Sequence, residues 1–290
     1  MSLKIWLDGQ LVAKEDAKIS VYDHGLLYGD GVFEGIRVYN GRIFEFAAHL
    51  RRLFESAKSI RLDIPYTAEE LTEATHATIA ANSFKDCYIR MVVTRGRGAL
   101  GIDPTTCERP SVFIITDLIR IYPPELYARG MAVITSSIIR NHPNALSPKI
   151  KSLNYLNNIL AKIEAVDAGV LEAIMFNHMG FVAECTADNF FLVRSGIVYT
   201  PSASDGSLEG VTANCIRKLA AELGVPLQER HIDRHDLYIA DECFLTGTGA
   251  EVMPVTAIDK RTIGAGAPGP ITRRLIDAFH KHVRGERCEG

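Results

Sequence analysis

The chain has 290 residues, of which 47% are hydrophobic and 23% charged, and its formal net charge is -3. That length fits two domains or one large one, and the composition is that of a globular protein with a substantial core. There is no basic excess of the kind a nucleic-acid binder needs, no apolar run of the roughly 18 residues that span a membrane, and no signal-peptide core behind Met1, so we expect neither nucleic acid nor membrane as a partner.

Residues 32–46 hold two apolar-rich runs around Asn40-Gly41. Both residues tolerate positive φ, so the pair predicts a tight type I′ hairpin. Leu50, Leu53, Ala57 and Ile60 then recur at helical spacing. Thr67 followed by Glu70 predicts a capping box at the start of a second helix. Strands are expected at 88–94 and 112–116. Pro123-Pro124 cannot donate to a ladder and stiffens an extended chain, so a linker is expected at 121–129. This divides the chain into a small α+β domain at 1–120 and a large domain at 130–290.

The large domain opens with an expected strand at 131–139 and a polar loop at 141–152. Leu153, Leu156, Leu160 and Ile163 then form one face of a helix ending before Gly169. Strands follow at 173–176, 181–185 and 189–193. A helix runs from Gly210 to Gly224, strands are expected at 242–246 and 252–258, and a last helix covers 271–283.

Several segments carry chemistry. Lys149 and Lys151 lie in the loop before the first helix of the large domain. A confined lysine loses its charge readily and becomes an amine nucleophile, whereas a solvated one is only surface charge, and spacing does not choose between the two. Glu184 ends a β-rich run; it suits either a turn or a buried partner for a protonated ring nitrogen. Leu208-Glu209-Gly210-Val211-Thr212 leads into a helix, where free N–H groups favour an anion. Thr246-Gly247-Thr248-Gly249-Ala250-Glu251 offers hydroxyls and close backbone approach, but its glycine spacing is too short for a dinucleotide fingerprint. Arg52, with Arg37 and Arg90 near Tyr28 and Tyr88, suits bidentate binding of phosphate or carboxylate. The six cysteines, Cys288 among them, are scattered without a Cys-x-x-Cys pair, and no His-Glu-x-x-His pair occurs. We therefore expect reduced thiols in a cytoplasmic enzyme and no metal.

Six segments together resemble the fold-type IV pyridoxal-phosphate enzymes, and within them the branched-chain amino acid aminotransferases. They are 28–37 (Tyr-Gly-Asp-Gly-Val-Phe-Glu-Gly-Ile-Arg), 49–53 (His-Leu-Arg-Arg-Leu), 151–156 (Lys-Ser-Leu-Asn-Tyr-Leu), 184–189 (Glu-Cys-Thr-Ala-Asp-Asn), 208–212 and 247–251. The resemblance implies an α+β fold whose larger domain is a pseudo-barrel of strands with flanking helices, binding pyridoxal 5′-phosphate. It implies that Lys151 is the Schiff-base lysine that moves the substrate's α-proton. Glu184 would pair with the pyridine nitrogen and Tyr155 with the phenolic oxygen. Arg52, Val211, Thr212 and Thr248 would bind the phosphate. Thr248 and Gly249 would offer N–H groups to the α-carboxylate, though many branched-chain enzymes carry alanine where Gly249 stands. Tyr28, Phe33 and Tyr88 would wall a side-chain pocket, with Arg37 among the substrate residues and Arg90 receiving the acidic side chain of glutamate or 2-oxoglutarate. A homodimer, or a hexamer assembled from dimers, is implied as well. The rival activities on the same fold are D-amino acid transamination and aminodeoxychorismate lysis; Phe33–Arg37, Tyr88-x-Arg90 and Tyr155 favour the branched-chain group.

Overall fold

The computed structural model describes residues 2–119 and 121–286. They fall into two units, Met1–Ile119 with Ile150–Asn154, and Arg120–Lys149 with Tyr155–Gly290.

The first unit is built from β1 (Lys4–Leu7), β2 (Gln10–Ala13), α1 (His24–Tyr28), β3 (Gly31–Tyr39), β4 (Arg42–Ile43), α2 (Phe46–Ser59), α3 (Ala68–Ala81), β5 (Cys87–Thr94) and β6 (Ser111–Asp117). The strands form one antiparallel sheet in the order β2-β1-β6-β5-β3-β4. Asn40 and Gly41 have φ of 50° and 79° and Tyr39 pairs with Arg42, which is the expected two-residue hairpin. Thr67 and Glu70 exchange both capping bonds at the head of α3. Leu50, Leu53 and Ala57 of α2 pack with Val32, Ile36 and Val38 of β3 in the apolar core, so the helical period here marks the inward face.

The chain returns to this unit at 150–154, a segment that sequence reasoning assigned to the large domain. Phe33 N–H donates to Lys151 O, Leu153 N–H donates to Gly31 O, and Val32 pairs with Ser152. The reason is an open edge. β4 covers only Val38 and Tyr39 of β3, which leaves backbone groups at the start of β3 needing partners.

The second unit contains α4 (Pro124–Arg129), β7 (Met131–Thr135), α5 (Leu156–Asp167), β8 (Ala173–Phe176), β9 (Val182–Cys185), β10 (Asn189–Arg194), β11 (Ile197–Thr200), α6 (Val211–Glu222), β12 (Leu227–Glu229), α7 (Arg234–Tyr238), β13 (Glu242–Gly247), β14 (Glu251–Ile258), β15 (Arg261–Thr262) and α8 (Pro270–Arg284). Its sheet runs β12-β11-β10-β13-β14-β7-β8-β9, with β15 on β14. The core gathers side chains from most of these strands, including Ile174, Phe190, Leu245 and Met253.

One expectation needs correction here. Residues 121–129 are not an extended linker. Pro124 opens α4, where a missing N–H costs nothing, and Tyr122 and Leu126 are buried in the unit's core. The apolar face of α5, whose direction the spacing left open, points outward. Leu156, Ile159, Leu160, Ile163 and Val166 are exposed, while Asn158, Ala161 and Ala165 are buried. Small side chains let α5 lie close on β8, and the large ones are left on the other side. Among the described residues no helix is long and apolar enough to cross a membrane. The five described cysteines are free thiols; Cys288 lies outside the described residues.

Candidate active site

The site residues expected from sequence divide between the units. Tyr28, Phe33, Arg37, Arg52, Tyr88, Arg90 and Lys151 belong to the first, and Tyr155, Glu184, Val211, Thr212, Thr248 and Gly249 to the second.

In the first unit, β3 and β5 place alternate residues on one face: Arg37 opposite Tyr88, Gly35 opposite Arg90, and Phe33 opposite Val92. Gly35 makes room for Tyr88, since a Cβ there would lie 1.9 Å from the Tyr88 hydroxyl and that ring would have to shift. The Arg90 guanidinium lies 4.5 Å from the Phe33 ring centroid, and its Nη2 donates to Tyr88 Oη at 3.2 Å. Lys151 Nζ lies 4.6 Å from the same ring. Both side chains thus approach the Phe33 ring, whose quadrupole favours positive charge over its faces. The Lys151 backbone is fixed on both sides, its N–H on Ser56 Oγ at 3.2 Å and its carbonyl on Phe33 N. Lys149 differs: it makes a solvent-exposed ion pair with Glu209 at 3.3 Å. Arg37 stacks over Tyr39. Tyr28 packs edge-on to His24, and its hydroxyl accepts from Gly101 N–H, so it anchors the loop after β5.

Arg52 is held by a residue that sequence reasoning quoted without assigning a role. Glu34 Oε1 accepts from Arg52 Nε at 2.7 Å, and Oε2 accepts from Arg52 Nη2 at 2.8 Å and His49 Nδ1 at 2.7 Å. Burial alone would raise the Glu34 carboxyl, but Arg52 and His49 outweigh it and hold it down at about 2. Burial pushes His49 down, so it is neutral. The clue in the sequence was a lone charge in the apolar row Val32, Glu34, Ile36, Val38, with His49 and Arg52 three residues apart on a helix.

In the second unit, Glu184 on β9 is buried. Its Oε1 accepts from Arg140 Nε at 2.7 Å and its Oε2 from Leu208 N–H at 2.9 Å. Arg140 also reaches Asn157 Oδ1 at 3.1 Å. Nothing in the sequence around Arg140 pointed to it, since its partner is 44 residues away. Tyr155 sits at the N-cap of α5. Gly210 stands before α6, where a Cβ would lie 1.9 Å from Asn189 Oδ1. No side chain among the described residues caps α6, and its first residues Val211, Thr212 and Ala213 are buried. The first N–H groups of a helix have no partner within it, so this end suits an anion. The turn between β13 and β14 lies beside it, with Thr248 Oγ1 3.5 Å from Thr212 Oγ1. The fold therefore joins two segments, 36 residues apart in the chain, that the sequence marked as suited to an anion. A phosphate group fits this donor set of uncapped N–H groups and two hydroxyls.

The residues that surround Glu184 hold a second buried array. The Tyr122 hydroxyl lies 2.8 Å from Asp188 Oδ2 and 3.2 Å from Glu172 Oε2. Glu172 Oε1 accepts from the N–H groups of Ala173 and Thr186. Burial, reinforced by the Glu172 charge, pushes the Asp188 carboxyl up to about 7.

Residues 31–258 match the family model of amino-transferase class IV. A putative branched-chain-amino-acid aminotransferase of Methanocaldococcus jannaschii is 48% identical over 97% of this chain and 96% of its own length. The branched-chain-amino-acid aminotransferase of Pseudomonas aeruginosa is 40% identical over 97% and 93%. Among solved structures, the T.th. branched-chain amino acid aminotransferase with pyridoxamine 5′-phosphate superposes with a TM-score of 0.95, at 40% identity over 99% of this chain and 96% of that one. The Escherichia coli branched-chain amino acid aminotransferase gives 0.96 at 35% identity, over 100% and 97%. With its fold, its ordered motifs and these relatives in agreement, this chain belongs to the class IV aminotransferase family.

Proposed function

We propose that the protein transfers the amino group of branched-chain L-amino acids (leucine, isoleucine, valine) to 2-oxoglutarate, giving branched-chain 2-oxo acids and L-glutamate, with pyridoxal 5′-phosphate as cofactor. The observation that carries this reading is the shared Phe33 ring, with Lys151 Nζ and the Arg90 guanidinium 4.6 Å and 4.5 Å from its centroid. An amine and an anion receiver on one aromatic wall suit a site that must accept an apolar and an acidic side chain in turn. The names of the relatives support the same substrate class, and one solved relative is complexed with N-(5′-phosphopyridoxyl)-L-glutamate.

Each residue has a task in this reading. When bound, the cofactor supplies an electron sink that lets the substrate's Cα–H bond break. Lys151 Nζ would hold the cofactor at rest and, once displaced from it by the substrate's amino group, would take the Cα proton and return it to the product. Glu184, an acceptor held by Arg140 and Leu208 N–H, keeps a proton on the pyridine nitrogen. Tyr155 hydrogen-bonds the phenolic oxygen. Arg52, Val211 N–H, Thr212 and Thr248 hold the phosphate. Thr248 and Gly249 orient the α-carboxylate through backbone N–H groups. Phe33, Tyr28, Tyr88 and Arg37 shape the side-chain pocket, and Arg90 binds the side-chain carboxylate of glutamate. The exposed apolar stripe of α5 supports a homodimer, or a hexamer assembled from dimers, because an isolated chain would leave it in water.

A panel of L-Leu, L-Ile, L-Val, D-Ala and aminodeoxychorismate with 2-oxoglutarate tests the substrate. The three L-amino acids are expected to yield glutamate; turnover of D-Ala without L-Leu overturns the proposal. Lys151→Ala is expected to remove both the visible absorbance of the cofactor adduct and transamination. Wild-type protein that stays colourless with added pyridoxal phosphate would refute the cofactor assignment. Light scattering that finds only a monomer would reject the dimer.

A further inference from the structure

Glu34 stands where a charge is costly. It is fully buried, in the strand row that holds Val32, Ile36 and Val38. α2 turns His49, Arg52 and Ser56 along one stripe, at spacings of three and four. Both Glu34 oxygens are engaged by the first two of these residues. The bond pair to Arg52 is a fork: Nε and Nη2 meet Oε1 and Oε2, which fixes the plane of the guanidinium as well as its position.

The protonation of the array follows from donor and acceptor rules. An ionised carboxylate only accepts, so His49 Nδ1 carries the hydrogen that bonds Glu34. Neutral His49 therefore adds no charge, and its Nε2 is a buried acceptor without a hydrogen-bond partner among the described residues. The array then comprises one anion, one cation and one neutral ring. For a phosphate site this is unexpected on charge alone, since Glu34 opposes the attraction that Arg52 offers. What Glu34 supplies in exchange is orientation of a long side chain that would otherwise sample many rotamers.

We propose that Glu34 is the positioning residue of the phosphate-binding arginine: through its fork on Arg52 it sets the direction in which that guanidinium meets the cofactor phosphate, and His49 secures Glu34 from the other side. This rests on the reading of Arg52 as a phosphate ligand. It goes beyond that reading because a charge-only account predicts the opposite sign. If Glu34 merely lowered the local potential, removing its charge would strengthen phosphate binding.

The test compares pyridoxal 5′-phosphate with pyridoxal on the full chain freed of cofactor, reading adduct absorbance. Both compounds carry the aldehyde, so the ratio of their affinities isolates the phosphate. Glu34→Gln is expected to lower that ratio about tenfold with pyridoxal binding itself held constant. Glu34→Asp keeps the charge and withdraws the reach, and is expected to lower the ratio as well; it decides the matter should the Gln variant fail to fold. A ratio that is unchanged or raised in a folded variant overturns the proposal. Arg52→Leu is the separate check on the underlying reading. If it leaves the ratio at the wild-type value, Arg52 does not bind the phosphate and that reading falls on its own, whatever Glu34 does.

Discussion

Two buried carboxylates, Glu34 in the first unit and Asp188 in the second, are both raised by burial and end with opposite outcomes. Glu34 meets an arginine fork and an imidazole N–H, and its carboxyl is held at about 2. Asp188 meets a tyrosine hydroxyl beside another carboxylate, and its carboxyl is pushed up to about 7. Burial raises both. The partner's charge decides whether that rise is reversed. The first array is therefore an ion pair with fixed direction, and the second sets the Tyr122 hydroxyl between Asp188 and Glu172.

The comparison predicts effects of graded size. The largest is Arg52→Leu, which leaves Glu34 buried with only His49 beside it. It is expected to cost about 3–5 kcal/mol in chemical denaturation; a loss near zero would show that Glu34 does not depend on the pair. Next comes the pH dependence, where the two arrays have opposite signs. The Asp188 carboxyl is raised on folding, so its contribution is fully present below about pH 4 and is lost as pH rises through about 7. The Glu34 carboxyl is depressed, so its contribution is present above about pH 4.5 and is lost as pH falls towards about 2. Asp188→Asn, which imitates the protonated form, is expected to flatten the decline in stability between pH 4 and 7, an effect of roughly a few kcal/mol. An unchanged slope would remove Asp188 from the account.

Tyr122→Phe takes the hydroxyl from between two carboxylates and is expected to cost about 1–3 kcal/mol, read as a lowered denaturation midpoint at neutral pH. The smallest effect belongs to Lys149→Ala. Its ion pair with Glu209 is open to solvent, so stability is expected to change by about 0.5 kcal/mol or less, with the cofactor absorbance intact. Loss of that absorbance would mean that the wrong lysine has been assigned.

Local signals in the sequence were reliable where the physics is local. Asn40-Gly41 turned the chain because both residues accept positive φ, and Thr67 with Glu70 capped a helix because the partners are three residues apart. The same reasoning stopped short at α5. Periodicity finds an apolar stripe but not what it faces, and here the small residues Ala161 and Ala165 took the inner side. It also read Pro123-Pro124 as an extended connection, although proline is at ease in the first turn of a helix.

The sequence by itself determined the family, because six short motifs in order are a one-dimensional record of the residues this chemistry uses. It determined most of the elements for the same reason: periods, caps and turns act between neighbours. Only the tertiary structure decided which groups become partners. Arg140 reaches Glu184 across 44 residues, Thr212 meets Thr248 across 36, and Lys151 returns to the open edge of β3. Hydrogen bonding and charge pairing depend on distance in space, and no local pattern in the chain encodes that distance.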